Sequence, residues 1–86
     1  MKTFTYTIND ELGIHARPAG MLVKTAKQFS SNVMIKKADG TPIDVTRMMA
    51  VMGLGVKRGD IVEISAEGED EMQAVEALEE FFQINL

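Results

Sequence analysis

His15 is the only histidine in the chain, and it stands in the run Gly13-Ile14-His15-Ala16-Arg17-Pro18-Ala19, just before apolar positions that recur at helical spacing. In helix coordinates His15 falls at the N-cap, Ala16 opens the helix and Pro18 lies in the first turn, where a missing N–H removes no intrahelical bond. The first-turn amides left free, those of Ala16 and Arg17, point back past the cap. With the positive end of the helix dipole behind them, they favour an anion. A neutral imidazole beside that place keeps a lone pair able to attack phosphorus. Arg17 adds a permanent cation whose fork of donors suits phosphate oxygens. These residue types suit a transient seat for a phosphoryl group, with positioning and charge supplied without a metal. The same pattern also describes a histidine that only caps a helix or sits solvated at its start.

Composition narrows what surrounds this run. A chain of 86 residues, 45% of them hydrophobic, is long enough for one small globular domain spanning residues 1–86 and too short for two. It has no cysteine, so no disulfide or thiolate metal site can staple it, and no carboxylate cluster has the spacing to hold a metal with the one histidine. No metal and no cofactor are expected. The net charge of −4 argues against a nucleic-acid partner, which demands a basic footprint. No apolar run reaches membrane-spanning length and no signal-peptide core is evident, so membrane insertion is not expected and a cytoplasmic location is.

The positioning elements follow from periodicity. Thr3 to Ile8 alternates, with Phe4, Tyr6 and Ile8 on one face, as in a half-buried strand. From Ala16, the residues Ala19, Leu22, Val23, Ala26 and Phe29 give a helix its buried stripe and leave Arg17, Lys24, Lys27 and Gln28 outside. Lys24 and Lys27 share a side, either as a solvated face or as a surface for an acidic partner. Gly20 marks a close approach or is simply neutral. After Ser30-Ser31-Asn32, Val33 to Lys37 forms a second strand, Asp39-Gly40 signals a hairpin, and Thr41 to Val45 returns as an edge strand carrying Pro42.

Thr46 is the expected cap of a short helix from Arg47 through Met52, with Gly53 and Gly55 as stop signals. Three of the seven methionines, Met48, Met49 and Met52, lie here. Exposed, they form an adaptable contact surface; buried, they fill core. Lys57-Arg58-Gly59 makes a turn, and Ile61 to Ala66 a strand with Val62, Ile64 and Ala66 inward. The acidic Gly68-Glu69-Asp70-Glu71 loads the start of a last helix buried along Met72, Val75, Leu78 and Phe82. The order strand, helix, strand, strand, helix, strand, helix (βαββαβα) predicts an α+β fold, an open-faced sandwich. Its four-stranded, mostly antiparallel sheet is covered on one face by three helices.

The histidine run, together with Val51-Met52-Gly53-Leu54-Gly55 and Ile64-Ser65-Ala66-Glu67-Gly68-Glu69-Asp70-Glu71, resembles the histidine-containing phosphocarrier protein (HPr) family of the bacterial phosphoenolpyruvate:sugar phosphotransferase system over nearly the whole chain. The resemblance implies a stoichiometric carrier rather than an enzyme. His15 would accept a phosphoryl group on Nδ1 from enzyme I, which draws it from phosphoenolpyruvate, and pass it to a histidine of a sugar-specific A component. Arg17 would attend the phosphoryl group. Gly20, Met21, Lys24, Lys27, Arg47, Met48, Met49 and Met52 would face both partners in turn, and the carrier would be a monomer.

The chain departs from the family where many members carry a regulatory serine at the start of the second helix. Aligning Val51-Met52-Gly53-Leu54-Gly55 places Arg47 there, with one extra residue in the hairpin around Ala38-Asp39-Gly40. Arginine cannot accept that phosphate, and Thr46 is displaced by one residue and engaged as a cap, so serine-type regulation is expected to be absent. The competing readings are a carrier in a nitrogen-related regulatory phosphorelay and a small α/β binding module whose histidine is never phosphorylated.

Overall fold

A computed structural model describes residues 1–86. In chain order the elements are β1 (Lys2–Thr7), α1 (Ala16–Ala26), β2 (Asn32–Lys37), β3 (Ile43–Asp44), α2 (Met48–Gly53), β4 (Ile61–Glu67) and α3 (Glu71–Asn85). The strands form one sheet in the order β1-β4-β2-β3, and every neighbouring pair is antiparallel. This is the open-faced α+β sandwich that the alternation of periods predicts.

Register explains the core. Phe4 stands opposite Ile64 and Tyr6 opposite Val62 across β1 and β4, while Val33 faces Ala66 and Ile35 faces Ile64 across β2 and β4. Because side chains alternate along a strand, these residues share one side of the sheet. Val33, Ile35, Val62, Ile64 and Ala66 are buried there. The other side carries Thr5, Glu63 and Lys36 in one cross-strand row and faces water. Helix α1 buries Pro18, Ala19, Leu22 and Ala26, and α3 buries Ala74, Leu78, Phe81 and Phe82. Phe82 is the largest fully buried side chain. It meets Phe4, Tyr6 and Phe81 edge-on at ring-centroid distances of 5.9, 5.5 and 5.9 Å.

Four local expectations are corrected. Met72 is exposed, and the buried stripe of α3 runs instead through Ala74, Leu78, Phe81 and Phe82, with Val75 half-buried. The first helix ends at Ala26, so Phe29 reaches the core from the loop beyond it. Asp39-Gly40 does lie in the hairpin between the antiparallel β2 and β3, but in a loop longer than a two-residue turn. Gly40 lacks the positive φ that a type I′ turn demands, and with Pro42 unable to donate, pairing with β2 begins only at Ile43.

Thr46 is not the cap of α2: Arg47 is, while the Thr46 hydroxyl and N–H both donate to Asp44 Oδ1, at 2.7 and 2.9 Å. Those two bonds, the hydroxyl's first, hold the Asp44 carboxyl below its ordinary range. Gly53 is the last residue of α2, and the left-handed residue that stops the chain is Gly55, at φ +66°.

Asp70 ties the start of α3 to the entry of β2. Its carboxylate accepts the Ser31 hydroxyl, and the backbone N–H groups of Ser30 and Ser31 at 2.9 Å each. The Ser31 hydroxyl first, then the Ser30 N–H, hold the carboxyl below its usual range against a smaller opposing effect of desolvation. A depressed folded-state value stabilises the fold above the unfolded carboxylate range, and the gain is lost as pH falls through the folded value. Urea denaturation of wild type and Asp70→Asn is therefore expected to show a stability gap at neutral pH that closes below the usual carboxylate range. A gap that is constant down to strongly acidic pH would contradict it.

Candidate functional site

The approach to His15 is fixed by backbone, not by its own side chain. Gly13 has φ +66°, and a Cβ placed on it would lie 2.0 Å from the Val56 carbonyl oxygen. Only glycine combines that conformation with that approach. The Ile14 N–H points to the same carbonyl at 3.4 Å, and Ile14 and Val56 are both buried. The segment after α2 thus holds the residue pair that delivers His15.

His15 is the N-cap of α1 in extended conformation, φ −96° and ψ −176°, and its carbonyl accepts the Ala19 N–H at 2.9 Å. Its side chain makes no capping hydrogen bond. A histidine kept as a cap would use its ring for that bond, so the simple capping role does not describe this one. The ring is half-exposed at 37%, and Nε2 lies 3.8 Å from Asp10 Oδ1, which leaves Nδ1 without a protein carboxylate.

Ala16 and Arg17 are exposed, and as first-turn residues their N–H groups have no intrahelical acceptor. Pro18 is buried against the core, so it anchors the turn without presenting a donor. An anion at such a helix start gains about 0.3–1 kcal/mol from the dipole. Arg17 forms no ion pair; the four ion pairs of the molecule are Met1 with Glu71, His15 with Asp10, Lys37 with Asp60 and Arg58 with Glu11. Its charge is available to an incoming group.

The surface beyond follows the helix repeat. Gly20 and Lys24 stand at i and i+4 on α1 and Lys27 is its C-cap at i+7, with Met21 beside them, and neither lysine has an acidic partner. Helix α2 packs against α1. Met48 meets Gly20 there: its Cε lies 3.7 Å from where a Gly20 Cβ would stand, so the contact is ordinary and not a steric demand for glycine. Met21, Met48 and Met49 are exposed at 41%, 38% and 80%, whereas Met52 is half-buried and packs on the core. Of the methionines expected at the surface, Met52 therefore serves mainly as filling.

Arg47 begins α2 with an exposed side chain and no capping bond. A serine there supplies a hydroxyl to the second or third helical N–H. Arg47→Ser is expected to raise stability by about 1 kcal/mol in urea denaturation, and a loss of similar size would contradict this account of the cap.

The one surface cavity, of about 390 Å³, is lined by Lys37, Ala38, Asp39, Gly40, Asp60 and Ile61 and includes none of these site residues. His15 instead lies half-exposed on an open surface. Sequence reasoning does not single out Asp10, whose place beside the ring only the fold shows; an acidic residue five positions before the lone histidine is the available signal.

An open-faced α+β sandwich that presents a lone histidine at an uncapped helix start defines a small class of proteins. The chain belongs to the PTS HPr family: residues 2–83 match the family described as "PTS HPr component phosphorylation site". It is 43% identical over 75 residues to the multiphosphoryl transfer protein of Salmonella typhimurium, covering 85% of this chain and 20% of that protein, so it spans about a fifth of that relative's length. Among solved structures it resembles HPr from Thermoanaerobacter tengcongensis, with a TM-score of 0.90 and 41% identity over 96% of this chain and 92% of that one. An HPr dimer from the same organism gives a TM-score of 0.76 at 40% identity, covering 98% and 95% of the two chains.

Proposed function

We propose that this protein is a stoichiometric phosphocarrier, not an enzyme, that takes a phosphoryl group on His15 from enzyme I of the phosphotransferase system and gives it to a histidine of a sugar-specific A component. The observation that carries the reading is an uncapped, half-exposed imidazole at a helix start, with an exposed, unpaired Arg17 in the same first turn.

The Nδ1 lone pair attacks phosphorus, the Nδ1–P bond forms, and the donor's bond to phosphorus breaks with its electron pair staying on the donor. The Ala16 and Arg17 amides and the Arg17 guanidinium stabilise the phosphoryl oxygens while charge is redistributed. In the second transfer an acceptor lone pair attacks, and the electron pair of the Nδ1–P bond returns to the ring. With no cavity around His15, both reactions take place between protein surfaces. The unpaired Lys24, Lys27 and Arg47 and the exposed Met21, Met48 and Met49 supply charge and an adaptable apolar contact, which suits weak, fast docking of two partners in turn.

The carrier works in the cytoplasm, and as a monomer. A dimer in sedimentation at working concentration would change that last part. No helix is long and apolar enough to cross a membrane. Serine-type regulation is absent in this reading, because Arg47 holds the position and the neighbouring Thr46 hydroxyl already donates to Asp44.

Reconstitution of the relay tests the flow. With enzyme I and phosphoenolpyruvate present, phosphoryl transfer is expected through this protein to a sugar-type A component. Transfer only to a nitrogen-type A component would move the protein to a regulatory relay, and transfer to neither would leave a binding module.

A further inference from the structure

Asp10 is the one carboxylate in ion-pair range of the His15 ring, 3.8 Å from Oδ1 to Nε2. Its placement is unusually determined for a residue on an exposed loop. The Asp10 N–H donates to the Leu86 carbonyl at 2.9 Å, its carbonyl accepts the Gly13 N–H at 3.0 Å, and Oδ1 accepts the Leu12 N–H at 2.8 Å. Those three bonds hold the carboxylate before any phosphoryl group arrives, and none is made by His15 itself.

A carboxylate beside one ring nitrogen acts on the choice between two neutral tautomers. Nε2 carrying its proton presents a positive edge to Asp10, whereas Nε2 carrying a lone pair places two regions of negative charge against each other. We propose that Asp10 is a positioning residue for His15: it keeps the proton on Nε2 and so presents the lone pair at Nδ1, on the side away from the acid. The same charge disfavours a phosphoryl group on Nε2, where two anions would meet. When the Nδ1–P bond forms, the ring becomes cationic with the Nε2 proton in place, and Asp10 offsets that charge. When the bond breaks, its electron pair returns to Nδ1 and the proton has not moved. The consequence for transfer rests on the carrier function proposed above; the tautomer does not.

The test therefore reads the ring directly. Long-range proton–nitrogen spectra of uniformly labelled protein report both nitrogens of the single histidine in its neutral state. In the wild type, Nε2 is expected at a protonated-type shift and Nδ1 at a lone-pair-type shift. In Asp10→Asn, which keeps an oxygen for the Leu12 N–H and loses the charge, the two shifts are expected to move toward each other. The tautomer ratio should fall about fivefold, the size of an exposed charged contact at this range. Asp10→Ser, whose hydroxyl also accepts that N–H, is expected to lose the preference too, so a folding defect in one variant does not decide the result.

The proposal is overturned if the neutral wild-type proton sits on Nδ1, or if both folded variants keep the wild-type ratio. Incubation with enzyme I and phosphoenolpyruvate separates the two levels. An adduct with an unchanged tautomer ratio in the variants removes the role of Asp10 and keeps the carrier. The expected tautomers with no adduct keep the role of Asp10 at the ring and remove the carrier.

Discussion

Replacing Phe82 by alanine is expected to destabilise the fold by about 3–5 kcal/mol, the range for emptying a buried phenylalanine site. Phe82 is 0% exposed and is the aromatic that α3 inserts between Phe4, Tyr6 and Phe81, so its removal strips three edge contacts and leaves a void under the sheet. The backbone around it has little freedom to collapse, because Phe4 and Tyr6 are held by the β1–β4 ladder and Phe81 by its own helix. A chain of this length has a total stability of only about 4–13 kcal/mol. The variant is therefore expected to melt roughly 15 °C or more below the wild type, or to be partly unfolded at room temperature. A loss under about 1 kcal/mol would show that the centre of the core lies elsewhere.

Gly13→Ala is expected to cost about 3 kcal/mol or more, because it combines a left-handed backbone with a clash against unyielding main chain. The added Cβ would stand 2.0 Å from the Val56 oxygen and 2.9 Å from the Lys57 Cα, and neither can move like the end of a flexible side chain. Gly53→Ala is the matched control: a Cβ there meets nothing within 4 Å and φ is not positive, so stability should be unchanged or slightly higher. The two variants separate fold from site. If the Gly13 loop delivers His15 as described, Gly13→Ala will also slow phosphoryl acceptance at temperatures where it remains folded, and Gly53→Ala will not. Equal melting points for the two glycine variants would contradict the close approach.

These effects sit at different depths of legibility. The alternation of Phe4, Tyr6 and Ile8 and of Val62, Ile64 and Ala66 predicts which side of each strand is buried, because a period of two leaves no other choice. The start of α1 was equally plain, since His15, Pro18 and the apolar stripe agree on it. Met72 continues the helical spacing of Val75, Leu78 and Phe82 back into the first turn of α3, but in the fold the buried stripe begins at Ala74 and widens to include Phe81 beside Phe82, which spacing alone does not decide. Thr46 is a strong capping residue by type, yet α2 opens one residue later with Arg47 as its cap, and the Thr46 hydroxyl donates to Asp44 within the preceding turn. Asp39-Gly40 carried a hairpin signal that Pro42 weakened three residues on. At the site, spacing alone placed His15 at the cap of α1 and Arg17 in its first turn. The partners of the loop in front of them, Val56 and Leu86, lie too far along the chain for any local pattern to reveal.

The central claim is that His15 carries a phosphoryl group, and intact-mass measurement after incubation with active enzyme I and phosphoenolpyruvate tests it most directly. The wild type is expected to gain a single phosphoryl mass that is labile in acid and stable in base, and His15→Ala to gain none. The same adduct on His15→Ala, or no adduct on the wild type, would contradict the account.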